Sequence, residues 1–308
     1  MKIVTCDNYG PPNVLKIREA KKPIPHKDEV LIKIHAVNIG IEDPMHRSGK
    51  PFLLVKPIIG FVRPRKSVLG TEFSGVIESI GKDVKDFKVG DKVFGSSGSK
   101  LGCYAEYLTL PENAFISNMP ENICFEEAAP VCGALAAWDF LVVKALIKPG
   151  QEVLINGASS SIGSAATQIA KVFNAKVTIA HRNKDTNFPT QQGQIYDIIL
   201  DVNGKEHLPN YKDLLKPKGI YLTALPNLKI IFQMLWTKIF GGKRIVFSAT
   251  GLQSANLRKE LHKGVIELIN EGGLKVRVDK VFSLEQIVDA HKRVEDNGGG
   301  EIIVVSIK

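Results

Sequence analysis

One stretch in the middle of the chain constrains the fold more than any other. It reads VLINGASSSIGSAATQIAKVFNAKVTIA and predicts a strand over Glu152–Asn156, a tight loop, a helix over Ser164–Phe173 and a second strand over Lys176–Ala180. A strand, a crossover helix and a further strand form a βαβ unit with parallel strands. We therefore expect a parallel sheet covered by helices on both faces.

The loop of this unit has the spacing of a dinucleotide-binding turn. Gly157 and Gly163 occupy the outer positions of a GxxGxxG pattern, and Ser160 occupies the middle one. Glycine lets the backbone turn sharply and approach a pyrophosphate, which the N-terminus of the following helix attracts. The Ser160 side chain either crowds the pyrophosphate or donates a hydrogen bond to it, and an ordinary turn of small residues is the alternative. The residues expected to contact the cofactor here are Gly157, Ala158, Ser159, Ser160, Ser161, Ile162 and Gly163.

The residues after the second strand favour NADPH over NADH. The strand is followed by His181, Arg182, Asn183 and Lys184, and no acidic residue precedes Asp185. An NAD site places a carboxylate there for the ribose hydroxyls, whereas an NADP site places cations for the 2′-phosphate. Arg182 offers a fork of donors and Lys184 a point charge, with His181 beside them. A solvated loop with incidental basic residues is the alternative.

The segments on either side of this unit indicate a second kind of domain. Residues 1–120 contain short predicted strands separated by glycine turns, which is typical of a small barrel or sandwich. The chain ends on EIIVVSIK, an apolar strand that could rejoin this first domain. We expect a split β-rich domain over residues 1–120 and 272–308, with a nucleotide-binding domain inserted over residues 121–271.

Hydrophobic periodicity predicts further elements. A helix is expected over Glu126–Lys148, with Pro130 in its first turns. A buried helix followed by a strand is expected over Leu228–Phe247, where charges and glycines interrupt the apolar run too early for a membrane span. Other strands are predicted over Glu29–Val37, Gly75–Ile80, Asp91–Phe94, Ile195–Val202 and Gly219–Leu225, and a C-terminal helix over Leu284–Glu295.

Composition excludes several classes of protein. With 44% hydrophobic and 24% charged residues in 308, the chain is an ordinary globular protein long enough for two domains. The net charge is +9, but the basic residues are scattered, so we expect a phosphorylated cofactor rather than nucleic acid as the anionic ligand. The four cysteines form no CxxC pair, and the N-terminus lacks a signal peptide's apolar core, so a reducing, cytoplasmic location is expected.

Many sequence blocks, in a fixed order along the chain, carry a family resemblance. They include YGPPNVL, VLIKIHAVN, DPMHRSG, VLGTEFSGVIESIGKDVKDFKVGDKVFG, GCYAEYLTLPE, the glycine turn, YDIILDV, LLKPKGIYL and VDKVFSLEQIVDAHKRVE. The chain resembles the medium-chain dehydrogenase/reductase superfamily, and within it the zinc-independent quinone oxidoreductase-like branch. The resemblance implies an α/β protein with a GroES-like β-rich substrate domain, a Rossmann-type doubly wound parallel sheet, and the nicotinamide between them.

Zinc is not expected. Zinc-dependent relatives carry a GHE block with a histidine ligand, whereas this chain has Gly70, Thr71 and Glu72, and it lacks the four-cysteine structural lobe. A zinc site needs three or four Cys, His or carboxylate ligands. The nearby histidines, His35 and His46, are predicted to occupy solvated surface positions.

Without a metal, hydride transfer depends on placement and on polar groups near the developing oxyanion. The resemblance implies that Tyr9, Asn38, Asp43 and Thr71 line the cleft, and Asn38 or Tyr9 could hydrogen-bond a substrate carbonyl. The structural alternatives are that Tyr9 caps a β-turn and that Asp43 anchors Arg47.

The implied reaction is NADPH-dependent reduction of a quinone or other α,β-unsaturated carbonyl. The alternatives are a 2-enoyl thioester reductase and a non-catalytic, cofactor-sensing protein. A small-molecule substrate is expected, with no nucleic acid and no membrane span, and a homodimer is compatible with the family.

Two features depart from the family pattern. Asn38 and Asp43 are separated by four residues, where the common N-P-x-D form has two between them. The stretch TNFPTQQGQ between HRNKD and YDIILD is too short for the helix, turn and strand that relatives place there. We therefore predict a sheet shortened by about one βα unit, with Ile195–Val202 beside the first Rossmann strands and a loop, Asn183–Gln194, at the adenine.

Overall fold

The chain divides into two compact units. The computed structural model describes residues 1–180, 194–202, 212–224, 234, 243–247 and 255–307. The first unit comprises Met1–Cys132 and Val276–Lys308, and the second comprises Gly133–Lys275.

The described strands and helices are numbered here in chain order. The strands are β1 Lys2–Cys6, β2 Leu15–Glu19, β3 Glu29–Ile39, β4 Glu72–Ile80, β5 Lys92–Ser96, β6 Tyr107–Pro111, β7 Phe115–Asn118, β8 Glu152–Asn156, β9 Lys176–Ala180, β10 Tyr196–Asp201, β11 Leu215–Thr223, β12 Arg244–Phe247, β13 Lys280–Ser283 and β14 Ile303–Ser306. The α-helices are α1 Glu42–Ser48, α2 Phe52–Ile59, α3 Phe125–Ala128, α4 Val131–Trp138, α5 Ser161–Val172, α6 Ala255–Asn270 and α7 Ile287–Asp296. A π-helix covers Asp139–Lys144, and short 3-10 turns cover Pro12–Val14, Gly98–Lys100, Lys212–Leu214 and Leu284–Gln286.

A seven-stranded sheet forms the centre of the first unit. Its order is β13-β14-β3-β4-β5-β7, with β6 also paired to β3. The C-terminal strand β14 runs antiparallel to β3, with Ile303 opposite Ile39 and Ser306 opposite Ala36. The prediction that the end of the chain rejoins the first domain is therefore confirmed.

The second unit contains a five-stranded parallel sheet. Its order is β12-β11-β10-β8-β9, and every described pair is parallel. Strands β8 and β10, in the middle of the sheet, are buried at all but one residue each, as expected where both faces of such a sheet are covered. Strand β10 pairs directly with β8, which confirms the predicted place of Ile195–Val202. The shortened crossover stays a prediction, because residues 181–193 lie outside the described part of the chain.

The continuous helix predicted over Glu126–Lys148 is wrong. Helix α3 ends at Ala128, α4 follows from Val131, and the π-helix continues to Lys144. Pro130 lies between α3 and α4, where it lacks the N–H that a continuous helix needs and its ring crowds the preceding turn.

The apolar stretch Leu228–Phe247 is described only in part. Its predicted strand is confirmed as β12, which is parallel to β11. Most of the predicted helix lies outside the described residues. Among the helices that the structure describes, none has the length and apolar character needed to cross a membrane.

A buried charge joins distant parts of the first unit. The Arg47 side chain on α1 is fully buried, donates to the Gly10 carbonyl at 2.5 Å and pairs with Glu295 on α7. The Tyr104 hydroxyl lies 3.1 Å from Nε2 of His291, whose pKa is lowered to about 3 by burial and then by Arg47. Helix α1 is thus fixed to α7 by an ion pair, and the partners of Arg47 are Glu295 and Gly10 rather than Asp43.

Replacing Glu295 with Ala should destabilise the first unit. The Arg47 guanidinium would remain buried without its carboxylate, so we expect the free energy of unfolding to fall by roughly 1–3 kcal/mol. Urea unfolding at constant pH measures this change. The matched control is Asp289→Asn on the same helix, which removes an exposed pair with Lys292 and should cost less than about 0.5 kcal/mol. Equal losses in the two variants would contradict a structural role for the Arg47–Glu295 pair.

Candidate functional site

The glycine turn after β8 is held by hydrogen bonds among its own residues. Gly157 has φ +92°, a conformation that favours glycine. The Ser160 hydroxyl donates to the Gly157 carbonyl at 2.8 Å and accepts from the Gly163 N–H at 3.2 Å. Ser160 is therefore the N-cap of α5, and the helix begins at Ser161 rather than at the predicted Ser164 because this cap starts it earlier.

No side chain fits at Gly163 without displacing the turn. A Cβ there would lie 2.1 Å from the Gly157 carbonyl oxygen and 2.7 Å from Cα of Ala158. The start of α5 and the end of β8 thus meet backbone to backbone, as a turn that binds a pyrophosphate requires. The Ser160 hydroxyl is engaged within the turn. Of the other predicted contact residues, Ala158, Ser161 and Ile162 are half-buried and Ser159 is exposed.

Buried polar side chains lie at the carboxyl ends of neighbouring strands in the second unit. Asn156 donates to Asp201 at 2.9 Å, and the Tyr221 hydroxyl donates to the other Asp201 oxygen at 2.8 Å. Ligands of open parallel sheets bind outside these strand ends. These residues were not predicted from the sequence. The signal available was the acid that closes the apolar strand YDIILD.

In the first unit, β3, β4 and α1 bring two carboxyl groups next to predicted site residues. Asn38 on β3 lies opposite Glu72 on β4, and its amide donates to the Glu72 carboxyl at 2.7 Å. The Thr71 hydroxyl lies 3.5 Å from a carboxyl oxygen of Glu42, the first residue of α1. Asn38 and Thr71 thus share one cluster with Glu42 and Glu72, two acids that were not predicted as site residues, and the predicted Asp43 follows Glu42 in α1.

The environment keeps acidic groups of this cluster protonated. Burial, and then repulsion from Glu42, raises the pKa of Glu72 to about 8, against the opposing hydrogen bond from Asn38. Burial also raises the pKa of Asp43 well above its usual range, although Asp43 accepts the Gly40 N–H at 2.8 Å. At neutral pH, Glu72 therefore holds a proton that it can donate, as a general acid must.

Tyr9 makes its contacts with the end of α2. Its hydroxyl donates to the Gly60 carbonyl at 2.6 Å, and the Lys56 ammonium lies 4.8 Å from the centre of its ring. Tyr9 is thus positioned by α2 rather than by the Asn38–Glu72 pair.

The prediction that His35 and His46 are solvated is wrong, because both are half-buried. His35 stacks on Phe125 with ring centroids 4.3 Å apart, and its pKa is lowered by burial and then by Lys33. Burial also lowers the pKa of His46, which Glu42 partly offsets. Within the described chain, Nδ1 of His46 is buried without a hydrogen-bond partner. The spacing of Glu42 and His46 on one helix face was the signal for this neighbourhood.

The proposed phosphate-binding residues His181, Arg182 and Lys184 lie outside the described residues, so their role stays a prediction. In the described ranges, no three His, Cys, Asp or Glu side chains are grouped so that they could hold a metal ion.

The raised pKa of Glu72 predicts a specific pH dependence of stability. Between pH 4.5, the ordinary pKa of a glutamate, and about pH 8, the folded protein binds a proton at Glu72 that the unfolded chain releases. The stabilisation of the folded state by this proton is fully present below pH 4.5 and is lost as the pH rises to about 8. Glu72→Gln removes this titration. From pH 5 to pH 8, the free energy of unfolding of the variant should therefore rise by at least about 1 kcal/mol relative to that of the unmodified protein. Urea unfolding at both pH values measures the gain.

The control is Glu78→Gln on the same strand. Glu78 pairs with Lys22, and the hydrogen bond from Lys22 lowers its pKa, so this variant should show no such gain. If the free energy of unfolding changes between the two pH values equally in Glu72→Gln and in the unmodified protein, Glu72 does not retain its proton.

Comparison with known proteins identifies relatives along the whole chain. Two family models match: the alcohol dehydrogenase GroES-like domain over residues 26–121 and the zinc-binding dehydrogenase over residues 173–302. The human quinone oxidoreductase is 28% identical over 99% of this chain and 98% of its own length. A chloroplastic quinone oxidoreductase of Triphysaria versicolor is 29% identical, with the same coverage.

Solved structures show the same architecture. The quinone oxidoreductase from Coxiella burnetii is similar with a TM-score of 0.85 and 26% identity, over 100% of this chain and 99% of that one. The CurK enoyl reductase has a TM-score of 0.85 at 22% identity over the same shares, a likeness of fold alone. The predicted fold class, a GroES-like β-rich domain with a parallel α/β sheet, is confirmed.

Proposed function

We propose that this protein reduces a quinone or another α,β-unsaturated carbonyl with NADPH and without zinc. The chain belongs to the medium-chain dehydrogenase/reductase superfamily, in its quinone oxidoreductase-like branch. It is an oxidoreductase by family, and the family binds a nicotinamide cofactor. The observation that carries the finer proposal is the likeness to quinone oxidoreductases over 99% of the chain. We assign cofactor binding to the second unit and substrate binding to the first.

The residues of the second unit suit a dinucleotide. The backbone at Gly163 meets that of Gly157 too closely for a Cβ, and we propose that a pyrophosphate binds beside this turn at the N-terminus of α5. The reduced nicotinamide, when bound, supplies a hydride. Arg182 and Lys184 follow β9 in sequence and are proposed to bind the 2′-phosphate.

The first unit supplies groups suited to the oxygen of the substrate. Hydride addition to a conjugated carbonyl leaves an enolate-type oxygen that must be stabilised and protonated. Glu72 holds a proton at neutral pH, and Asn38 orients its carboxyl through a 2.7 Å hydrogen bond. We propose Glu72 as the proton donor, with Asn38 and Thr71 beside it. Tyr9 and Asp43 remain proposed site residues, although Tyr9 already donates to Gly60 and Asp43 is fully buried.

The proposed reaction predicts quinone-dependent oxidation of NADPH. The purified full-length protein, mixed with NADPH and a water-soluble benzoquinone, should consume NADPH at a rate proportional to protein, measured by the loss of nicotinamide absorbance. A 2-enoyl thioester in place of the quinone should be reduced more slowly. A preference for the thioester would support the enoyl reductase alternative, and binding of NADPH without turnover would support a cofactor sensor.

The same assay tests the absence of zinc. Exhaustive chelation should leave the rate unchanged, since the GTE block has Thr71 where zinc-dependent relatives have a histidine ligand. Loss of activity with one zinc per chain, and its return when zinc is added, would refute this part of the proposal.

Cofactor choice is tested at the two cations. The double variant Arg182→Ala/Lys184→Ala should weaken NADPH binding by at least about tenfold per residue, because each loses a charge-assisted hydrogen bond, and should leave NADH binding nearly unchanged. Titration calorimetry with each cofactor measures both affinities. The control Lys171→Ala/Lys275→Ala removes two exposed cations of the same unit and should affect neither cofactor. Equal weakening of NADPH and NADH would rule out a 2′-phosphate site.

A further inference from the structure

Residues 50–66 of the first unit combine positive charge with apolar character. We call them the basic apolar segment; it reads KPFLLVKPIIGFVRPRK and includes α2. The segment contains no Asp or Glu. Its basic residues are Lys50, Lys56, Arg63, Arg65 and Lys66.

Apolar side chains of this segment form one exposed patch. Phe52 is 53% exposed, Phe61 is 54% exposed and Val62 is 91% exposed. The rings of Phe52 and Phe61 are close, with centroids 6.3 Å apart, and Val62 follows directly in the chain. Single exposed apolar residues are common on protein surfaces, but adjacent ones rimmed by charge mark an interaction surface.

The opposite side of the segment is fixed to the first unit. Val55 and Ile59 of α2 are 5% and 4% exposed and belong to its hydrophobic core. The Tyr9 hydroxyl bond to the Gly60 carbonyl holds the C-terminal end of α2. The exposed patch is therefore one side of a packed element.

Four of the five basic side chains of the segment are exposed to an external partner, whereas the fifth, Lys56, lies over the rings of Tyr9 and Phe52. Lys50, Arg63 and Arg65 are exposed, and Lys66 contacts only backbone carbonyl oxygens, those of Ser99 and Lys100. Among the described residues, no carboxylate forms an ion pair with any of the five basic side chains of the segment. The positive charge is thus not neutralised from within the described chain.

We propose that the basic apolar segment docks the protein on the surface of an anionic phospholipid bilayer. Phe52, Phe61 and Val62 enter the boundary between headgroups and acyl chains, while the surrounding cations contact the lipid phosphates and carboxylates. Charge complementarity favours this partner, because each cation near an anionic bilayer strengthens binding by about fivefold. Stable attachment needs a second contribution, and burial of the apolar patch in the bilayer supplies it. Docking of this kind is peripheral, and it does not depend on the proposed reaction.

The test is sedimentation of the full-length protein with vesicles. Vesicles of phosphatidylcholine with phosphatidylserine should bind the protein, vesicles of phosphatidylcholine alone should bind it far less, and high salt should reduce binding to the anionic vesicles. Arg63→Ala/Arg65→Ala should lower the partition coefficient by about 25-fold. Phe52→Ser/Phe61→Ser should lower it by at least about tenfold.

Matched variants control for general effects of charge and hydrophobicity. Lys82→Ala/Lys85→Ala removes two exposed cations elsewhere on the first unit, and Ile24→Ser/Val89→Ser removes two exposed apolar side chains outside the segment. Both should bind like the unmodified protein, and the midpoint of thermal unfolding checks that every variant is folded.

Three outcomes would overturn the proposal. The first is absence of binding to anionic vesicles, and the second is an equal loss in the control variants. The third is concentration-dependent self-association that Phe52→Ser/Phe61→Ser abolishes while vesicle binding is unchanged, since this would assign the patch to a second copy of the chain.

Discussion

Strand β3 is the constraint on which the first unit depends. It pairs with β4, β6 and β14, and all but two of its eleven residues are buried. The pairing with β14 recruits the C-terminal end of the chain, so the second unit has to lie between two parts of the first in sequence. Near the end of β3, Asn38 lies opposite Val304 on one side and Glu72 on the other. The pairings of β3 with β4 and β14 thus also position the Asn38 amide of the candidate site.

This position explains why Glu72 is a weaker acid than an ordinary glutamate, with its pKa raised to about 8. A carboxyl group at the end of a buried strand loses hydration, and its charged form becomes expensive unless a cation compensates. Asn38 donates a hydrogen bond to Glu72 but carries no charge, and repulsion from Glu42 disfavours a second negative charge. Arg47, the buried cation of α1, is paired with Glu295 on α7 instead. The protonated form of Glu72 is therefore favoured.

The sequence predicted those features that depend on neighbouring residues. Alternation located β3, a run of apolar residues located β8 and β10, and glycine spacing located the turn at Gly157 and Gly163. Features set by pairing across long distances were missed: Glu72 meets Asn38 across 34 positions, and Arg47 meets Glu295 across 248. The N-cap role of Ser160 was local and could have been predicted from its spacing to Gly163, had the serine been considered as a cap rather than as a phosphate ligand.

The connection between β3 and β4 joins the two features proposed for the first unit. Residues 40–71 begin and end beside the Asn38–Glu72 pair, and between these ends the chain forms α1, with Glu42 and His46, and then the basic apolar segment. A connection of this length exceeds the roughly 12–15 residues beyond which loops usually serve a function, even though α1 and α2 order part of it. Tyr9 lies beside both halves, because a Cβ added at Gly49, the C-cap of α1, would lie 3.0 Å from its ring, and its hydroxyl donates to the Gly60 carbonyl at the end of α2. The surface proposed for lipid thus lies within the connection whose two ends meet at the Asn38–Glu72 pair.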